Sequence, residues 1–95
     1  MKGGWTYMMA DRFRGTIYTG VTANLAARVF EHRNDPRGFV GRYGLNRLVM
    51  AEPHHEMLAA IAREKALKKW RREWKIRLIE EQNPDWADRC EDLNK

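Results

Sequence analysis

Residues Ile17 to His32 read IYTGVTANLAARVFEH, and this junction decides the fold. The β-branched and aromatic residues from Thr16 to Val21 predict a strand. The chain then enters a helix over Thr22 to Asn34, with Thr22 or Asn24 able to cap its start. Leu25 and Val29 mark the buried stripe of that helix, widened by Ala26 and Phe30. Upstream, GWTYMMA (Gly4 to Ala10) predicts another strand, and DRFRG (Asp11 to Gly15) has turn chemistry. The two strands therefore form an antiparallel hairpin feeding a helix.

Downstream, the Gly- and Pro-containing stretch Asp35 to Gly44 predicts a loop, and Leu45 to Glu52 a short third strand. After Pro53, HHEMLAAIAREKALKKW has high helix propensity. RREWKIRLIEEQ continues it to Gln82, and Asn83-Pro84 ends it. An unbroken helix of that length is long for so small a domain, so a break is expected near Trp70 or Arg71. The expected fold is α/β of the α+β type: a small three-stranded antiparallel sheet with flanking helices, in the order β-β-α-β-α-α.

The 95 residues fit one compact domain. A core is supported by 43% hydrophobic residues, including 4 Trp, 3 Tyr and 3 Phe. Net charge is +5; residues 84–95 hold four acids against two bases, a net of −2, leaving +7 on the first 83 residues. Such a basic domain points to a polyanionic partner, nucleic acid before membrane. Cys90 is the single cysteine, which excludes an intramolecular disulfide and a cysteine-based metal cluster. The N-terminal stretch has no apolar run of signal-peptide or membrane-span length, so the expected location is cytoplasmic.

Several residues stand out from an ordinary core. Glu64 falls within the apolar stripe of Met57, Ala60, Ile61 and Leu67. An ionised carboxylate there needs a partner. Two readings are open: a structural ion pair with Arg or Lys, or a ligand for a hard cation. Arg28 and His32 share a helix face at i,i+4 spacing. Arg suits phosphate, and His exchanges protons near neutral pH; an ordinary solvated helix face explains the same spacing. Tyr7 is expected to face Tyr18 directly, on the side of Gly20, where the lack of a side chain would admit a ligand's backbone. A cross-strand aromatic pair stabilising the hairpin explains these tyrosines equally well. Finally, REKALKKWRREWKIR (Arg63 to Arg77) holds eight Lys or Arg in fifteen positions, with Trp70 and Trp74 on one face. It reads either as a solvated helix face over core tryptophans or as a phosphate-tracking surface built on Arg63, Lys65, Lys68, Lys69, Arg71 and Arg72.

Taken together, WTY, a short turn, YTG, VTANLAARVFEH and the later AIAREKALKKWRREWKIRLIEEQNPDW resemble the GIY-YIG nuclease family, notably its small stand-alone bacterial branch of uncharacterised endonucleases. The resemblance runs from Gly4 to about Trp86. It implies a nuclease domain over residues 1–86 and a short acidic tail over residues 87–95.

By position, it implies that Tyr7 and Tyr18 are the motif tyrosines and Gly20 the motif glycine. Arg28 would be the arginine of the first helix, His32 the histidine one turn later, and Glu64 the ligand of a divalent ion, Mg²⁺ or Mn²⁺. Asn83 aligns loosely with a late asparagine that supports the site. The first motif keeps only its tyrosine, Thr19 stands at the centre of the second, and Val21 replaces the lysine of repair-type members.

The activity implied is metal-dependent endonucleolytic hydrolysis of DNA, with RNA as another possible polymer, in repair or recombination, by a monomer or a homodimer. Arg28 would neutralise charge on the phosphate, the ion on Glu64 would stabilise the departing 3′ oxygen, and a tyrosine would handle the water proton. A phenol near its reference pKa of about 10 is a poor base at neutral pH, so nearby positive charge is required. Two other readings use the same residues: a non-catalytic nucleic-acid-binding module on the basic helix, and a partner-binding domain on the Trp70/Trp74 face.

Overall fold

The computed structural model describes residues 3–34 and 44–90. The loop expected over Asp35 to Gly44 lies outside them apart from Gly44, as do Glu91 and Asp92 of the acidic tail.

Three strands, β1 (Gly4–Ala10), β2 (Ile17–Thr22) and β3 (Arg47–His54), form one antiparallel sheet in the order β2-β1-β3. Helix α1 (Leu25–Asn34) joins β2 to β3, and α2 (Met57–Lys69) and α3 (Arg72–Gln82) follow. The element order is the expected β-β-α-β-α-α.

β1 is buried almost throughout because it is central and both of its faces are covered. On one face Tyr7 and Met9 pack with Leu25 and Val29 of α1 and with Leu45 and Leu48. On the other, Met8, Ala10, Val49 and Met50 pack with Leu67 of α2, Ile79 of α3 and Trp86. The β1–β3 register shifts between Met8 and Met9. This bulge lets consecutive Val49 and Met50 serve the same layer while Leu48 and Ala51 serve the other.

Boundaries differ from expectation where tertiary contacts prevail. β3 runs through Pro53 to His54, since an edge strand tolerates a missing N–H. Consequently α2 starts at Met57 and not directly after Pro53. Asn24, and not Thr22, caps α1, its Oδ1 accepting the Ala27 N–H at 3.1 Å. Phe30 does not widen the α1 stripe; it is 68% exposed, and Ala26 is exposed too. The expected break is present: Trp70 and Arg71 are both extended, with ψ of 151°.

α3 is tied back to the hairpin loop at two points. Arg72 donates to the carbonyls of Arg14 and Gly15. Glu80 accepts both the Arg14 fork (2.8 Å, 2.8 Å) and the Trp86 indole N–H (2.7 Å). Beyond α3, Asp88 accepts the Leu48 N–H and pairs with Arg33, while the Arg89 N–H donates to the Leu48 carbonyl. Among the described residues, no helix is long and apolar enough to cross a membrane.

Candidate active site

Tyr7 projects from the central strand, and Tyr18 from β2, onto the face covered by α1. The two tyrosines do not stand directly opposite one another. Tyr7 faces Gly20 and Tyr18 faces Met9, so the pair is diagonal, with ring centroids 6.2 Å apart.

The register is two residues off the expected one because the loop holds six residues, Asp11 to Thr16. Arg14 adopts a left-handed φ of 51°, Gly15 N–H donates to the Arg12 carbonyl, and Asp11 Oδ1 accepts the Thr16 N–H. Side-chain direction repeats every two residues, so a slip of two preserves the shared face. The space above Gly20 does not await a ligand's backbone. A Cβ there would sit 2.6 Å from Tyr7 Cζ and Oη, so the missing side chain is what lets the Tyr7 ring lie across β2.

α1 brings two more groups to this face. His32 Nε2 lies 2.7 Å from the Tyr7 hydroxyl, and its ring stands edge-on to Tyr18 at 5.4 Å. Arg28 faces both tyrosine hydroxyls, and its interaction with Tyr7 is the main reason its guanidinium is held above its ordinary value. Arg28 also reaches Glu31 at 3.4 Å. Tyr7 is fully buried, Tyr18 half-buried and Arg28 partly open to solvent.

Burial pushes the Tyr7 hydroxyl up to about 12, with Arg28 opposing and Tyr18 adding. Tyr7 therefore keeps its proton. Its hydroxyl shares one hydrogen bond with His32 Nε2, the direction of which follows the imidazole tautomer.

Glu64 stands on α2, the helix across the sheet. One turn before it, the Ala60 carbonyl accepts the Thr6 hydroxyl at 2.8 Å; one turn after it, Leu67 is in the core. The Glu64 side chain is 12% exposed and 2.6 Å from Lys68 Nζ. The structure thus gathers Tyr7, Tyr18, Arg28 and His32, and pairs the Glu64 carboxylate with Lys68. Among the described residues, no three His, Cys, Asp or Glu converge as a metal cage. A single, nearly buried, hard oxygen donor fits Mg²⁺, which keeps several waters and takes one or two carboxylates together with a phosphate.

The basic residues divide. The Arg63 fork engages Glu52 at 2.9 and 3.1 Å, Arg72 holds the hairpin loop, and Lys68 holds Glu64. Lys65, Lys69 and Arg71 are exposed. Asn83 is a buried latch and not a member of the tyrosine cluster. Its Nδ2 donates to the Val49 and Ala87 carbonyls, and its Oδ1 accepts the Ala87 N–H. Sequence reasoning does not single out Arg77 and Glu81, which line a groove with Trp70 and Trp74. The helical spacing 74, 77, 78, 81 carries that signal.

The chain matches the GIY-YIG catalytic domain over residues 3–77 and belongs to the GIY-YIG family. The UPF0213 protein DP2720 of Desulfotalea psychrophila (strain LSv54 / DSM 12343) is 35% identical to it over 71 residues. That alignment covers 70% of this chain and 63% of the relative, so the chain spans just under two thirds of that protein's length. No solved structure matches the chain.

Proposed function

We propose that this protein is a metal-dependent endonuclease that hydrolyses phosphodiester bonds in DNA. The observation that carries the reading is the convergence of Tyr7, Tyr18, Arg28 and His32 on one sheet face, within a chain of the GIY-YIG family.

Arg28 is partly exposed and holds non-bridging oxygens of the scissile phosphate, neutralising the charge that builds there. Tyr18, the more accessible tyrosine, orients the attacking water. As the water oxygen bonds to phosphorus, the P–O3′ bond breaks, the 3′ oxygen leaves with the bonding pair and takes a proton from solvent, and the water proton passes to Tyr18. Tyr18 hands its own proton to Tyr7, and Tyr7 hands its own to His32 Nε2. In this relay neither phenol ionises, which removes the difficulty that tyrosine is a poor base at neutral pH; the imidazole is the acceptor.

Glu64 would hold the Mg²⁺, exchanging its Lys68 partner for the ion. When bound, such an ion supplies Lewis-acid stabilisation of phosphate charge.

The test is cleavage of a panel of labelled nicked, branched, single-stranded and duplex DNAs with and without Mg²⁺ or Mn²⁺. Wild type is compared with Glu64→Ala and Arg28→Ala. Metal-dependent cutting is expected in wild type and falls at least about a hundredfold in Arg28→Ala. Glu64→Ala abolishes cutting and keeps DNA binding. If all three proteins bind alike and none cuts, the chain is a binding module and the nuclease reading is wrong.

A further inference from the structure

α3 carries a second concavity, in the layer across the sheet from the tyrosine cluster. Trp70, from the break between α2 and α3, and Trp74, Arg77, Leu78 and Glu81 of α3 line a groove of about 360 Å³. Its floor is rigid. Trp70 packs on the core, and Arg63 lies 5.1 Å over its ring while held by Glu52. Trp74 meets Trp70 edge-on at 6.1 Å, yet remains 46% exposed. A large aromatic left open on a fixed backing is a contact surface awaiting a flat, apolar group.

The charges around it select that group. Arg71 lies 5.6 Å over the Trp74 ring, and Arg77 forms part of the wall. Among the described residues, Glu81 is the acid in the groove lining. With Arg77 it places a carboxylate acceptor next to a guanidinium donor, and a nucleobase edge offers both complements.

We infer that the Trp70–Trp74 groove binds an unstacked nucleobase, which stacks on Trp74 while Arg71 and Arg77 take the flanking phosphates. Aromatic platforms beside basic rows are how single strands are held irrespective of sequence. The inference rests on the nucleic-acid reading above for its class of partner, but uses none of the residues proposed for catalysis.

The test is fluorescence anisotropy in EDTA, where no turnover occurs. The probes are a thymidine oligonucleotide of about 15 nucleotides, its uridine counterpart and a duplex of equal length. Trp74→Ala is expected to weaken binding of the thymidine strand roughly 5- to 150-fold and of the duplex less than about twofold. Trp74→Phe should restore most of the loss, which separates stacking from misfolding. Arg77→Gln should lower the salt slope by about 0.7. Equal loss with the uridine strand places recognition on the base; loss confined to one sugar type identifies the polymer the groove takes.

The inference is overturned if Trp74→Ala binds the thymidine strand like wild type, or loses strand and duplex alike. It is also overturned if wild type binds no single strand, or if Trp74→Ala instead dissolves a self-associated form seen by sedimentation. None of these outcomes alters metal-dependent cutting of other DNAs, which judges the nuclease reading separately.

Discussion

The Tyr7 hydroxyl and His32 Nε2 are 2.7 Å apart, joining the central strand to the first helix through one hydrogen bond. Tyr7 is fully buried and its hydroxyl is pushed up to about 12 from 10.0. A group whose folded pKa is raised contributes stability in full below the unfolded value and loses it as pH rises through the folded value. The protein should therefore lose stability between about pH 10 and 12, by on the order of 3 kcal/mol from this residue. Denaturant melts across that range check it, and Tyr7→Phe should flatten the decline. Because His32 is the proposed proton acceptor, His32→Asn should lower the cleavage rate while leaving DNA binding in place, as initial rates and binding assays would show.

Glu80 produces the opposite slope at the acid end. The Arg14 fork, and then the Trp86 indole N–H, hold its carboxyl down to about 2 from 4.5. The stability from this cluster is complete above the unfolded value and is lost as pH falls through the folded one. Unfolding midpoints measured from pH 5 to pH 2, the window set by those two values, should drop. Glu80→Gln should start lower and change less across the window.

These networks also show what the sequence reveals about the fold. The Tyr-Gly-Arg-His cluster is legible because two short-range periods place it. Alternation along β1 and β2 puts Tyr7, Tyr18 and Gly20 on one face, and i,i+4 spacing puts Arg28 over His32. The register is less legible, since the left-handed residue of the loop is Arg14 where a turn reading looks to Gly15. Trp86, buried with a φ of 55°, gives no local cue to its place in the core. Arg63 and Arg72 read as free cations because their partners, Glu52 and the carbonyls of Arg14 and Gly15, are supplied only by tertiary folding. Glu64 announces itself in an apolar stripe, whereas its i,i+4 contact with Lys68 follows from helical spacing alone.

Thr19 offers a gain in stability. Its side chain is 4% exposed, and its Oγ1 has no hydrogen-bond partner among the described residues. It faces the α2 side of β2, opposite Met8. A buried unsatisfied hydroxyl costs about 1–3 kcal/mol, and valine has the same shape without it. Thr19→Val should raise the unfolding free energy by about 1 kcal/mol, or the melting temperature by roughly 4–8 °C. Cleavage should be unchanged, because the substituted side chain lies across the strand from Tyr18. An unchanged or lower melting temperature would show that the hydroxyl is satisfied after all.

Gly20 tests whether the tyrosine cluster acts as one unit. A methyl group added there meets Tyr7 Cζ and Oη at 2.6 Å and Tyr18 Cε2 at 2.9 Å, so both rings must move. Overpacking of this kind costs about 1–3 kcal/mol. Displacing Tyr7 also breaks its bond to His32, and misplacement by about 1 Å can lower a rate roughly a hundredfold. Gly20→Ala should therefore melt earlier, shift the His32 imidazole resonances in NMR spectra and cut far more slowly, although it alters no reacting group. Gly4→Ala is the control. Its added methyl meets Met57 Sδ at 2.4 Å on the opposite face, where a flexible thioether can yield. That variant should lose some stability while leaving the His32 resonances and the cleavage rate in place. If Gly4→Ala disturbs His32 as much as Gly20→Ala does, the cluster is responding to general loosening of the sheet and not to the seat of Tyr7 on Gly20.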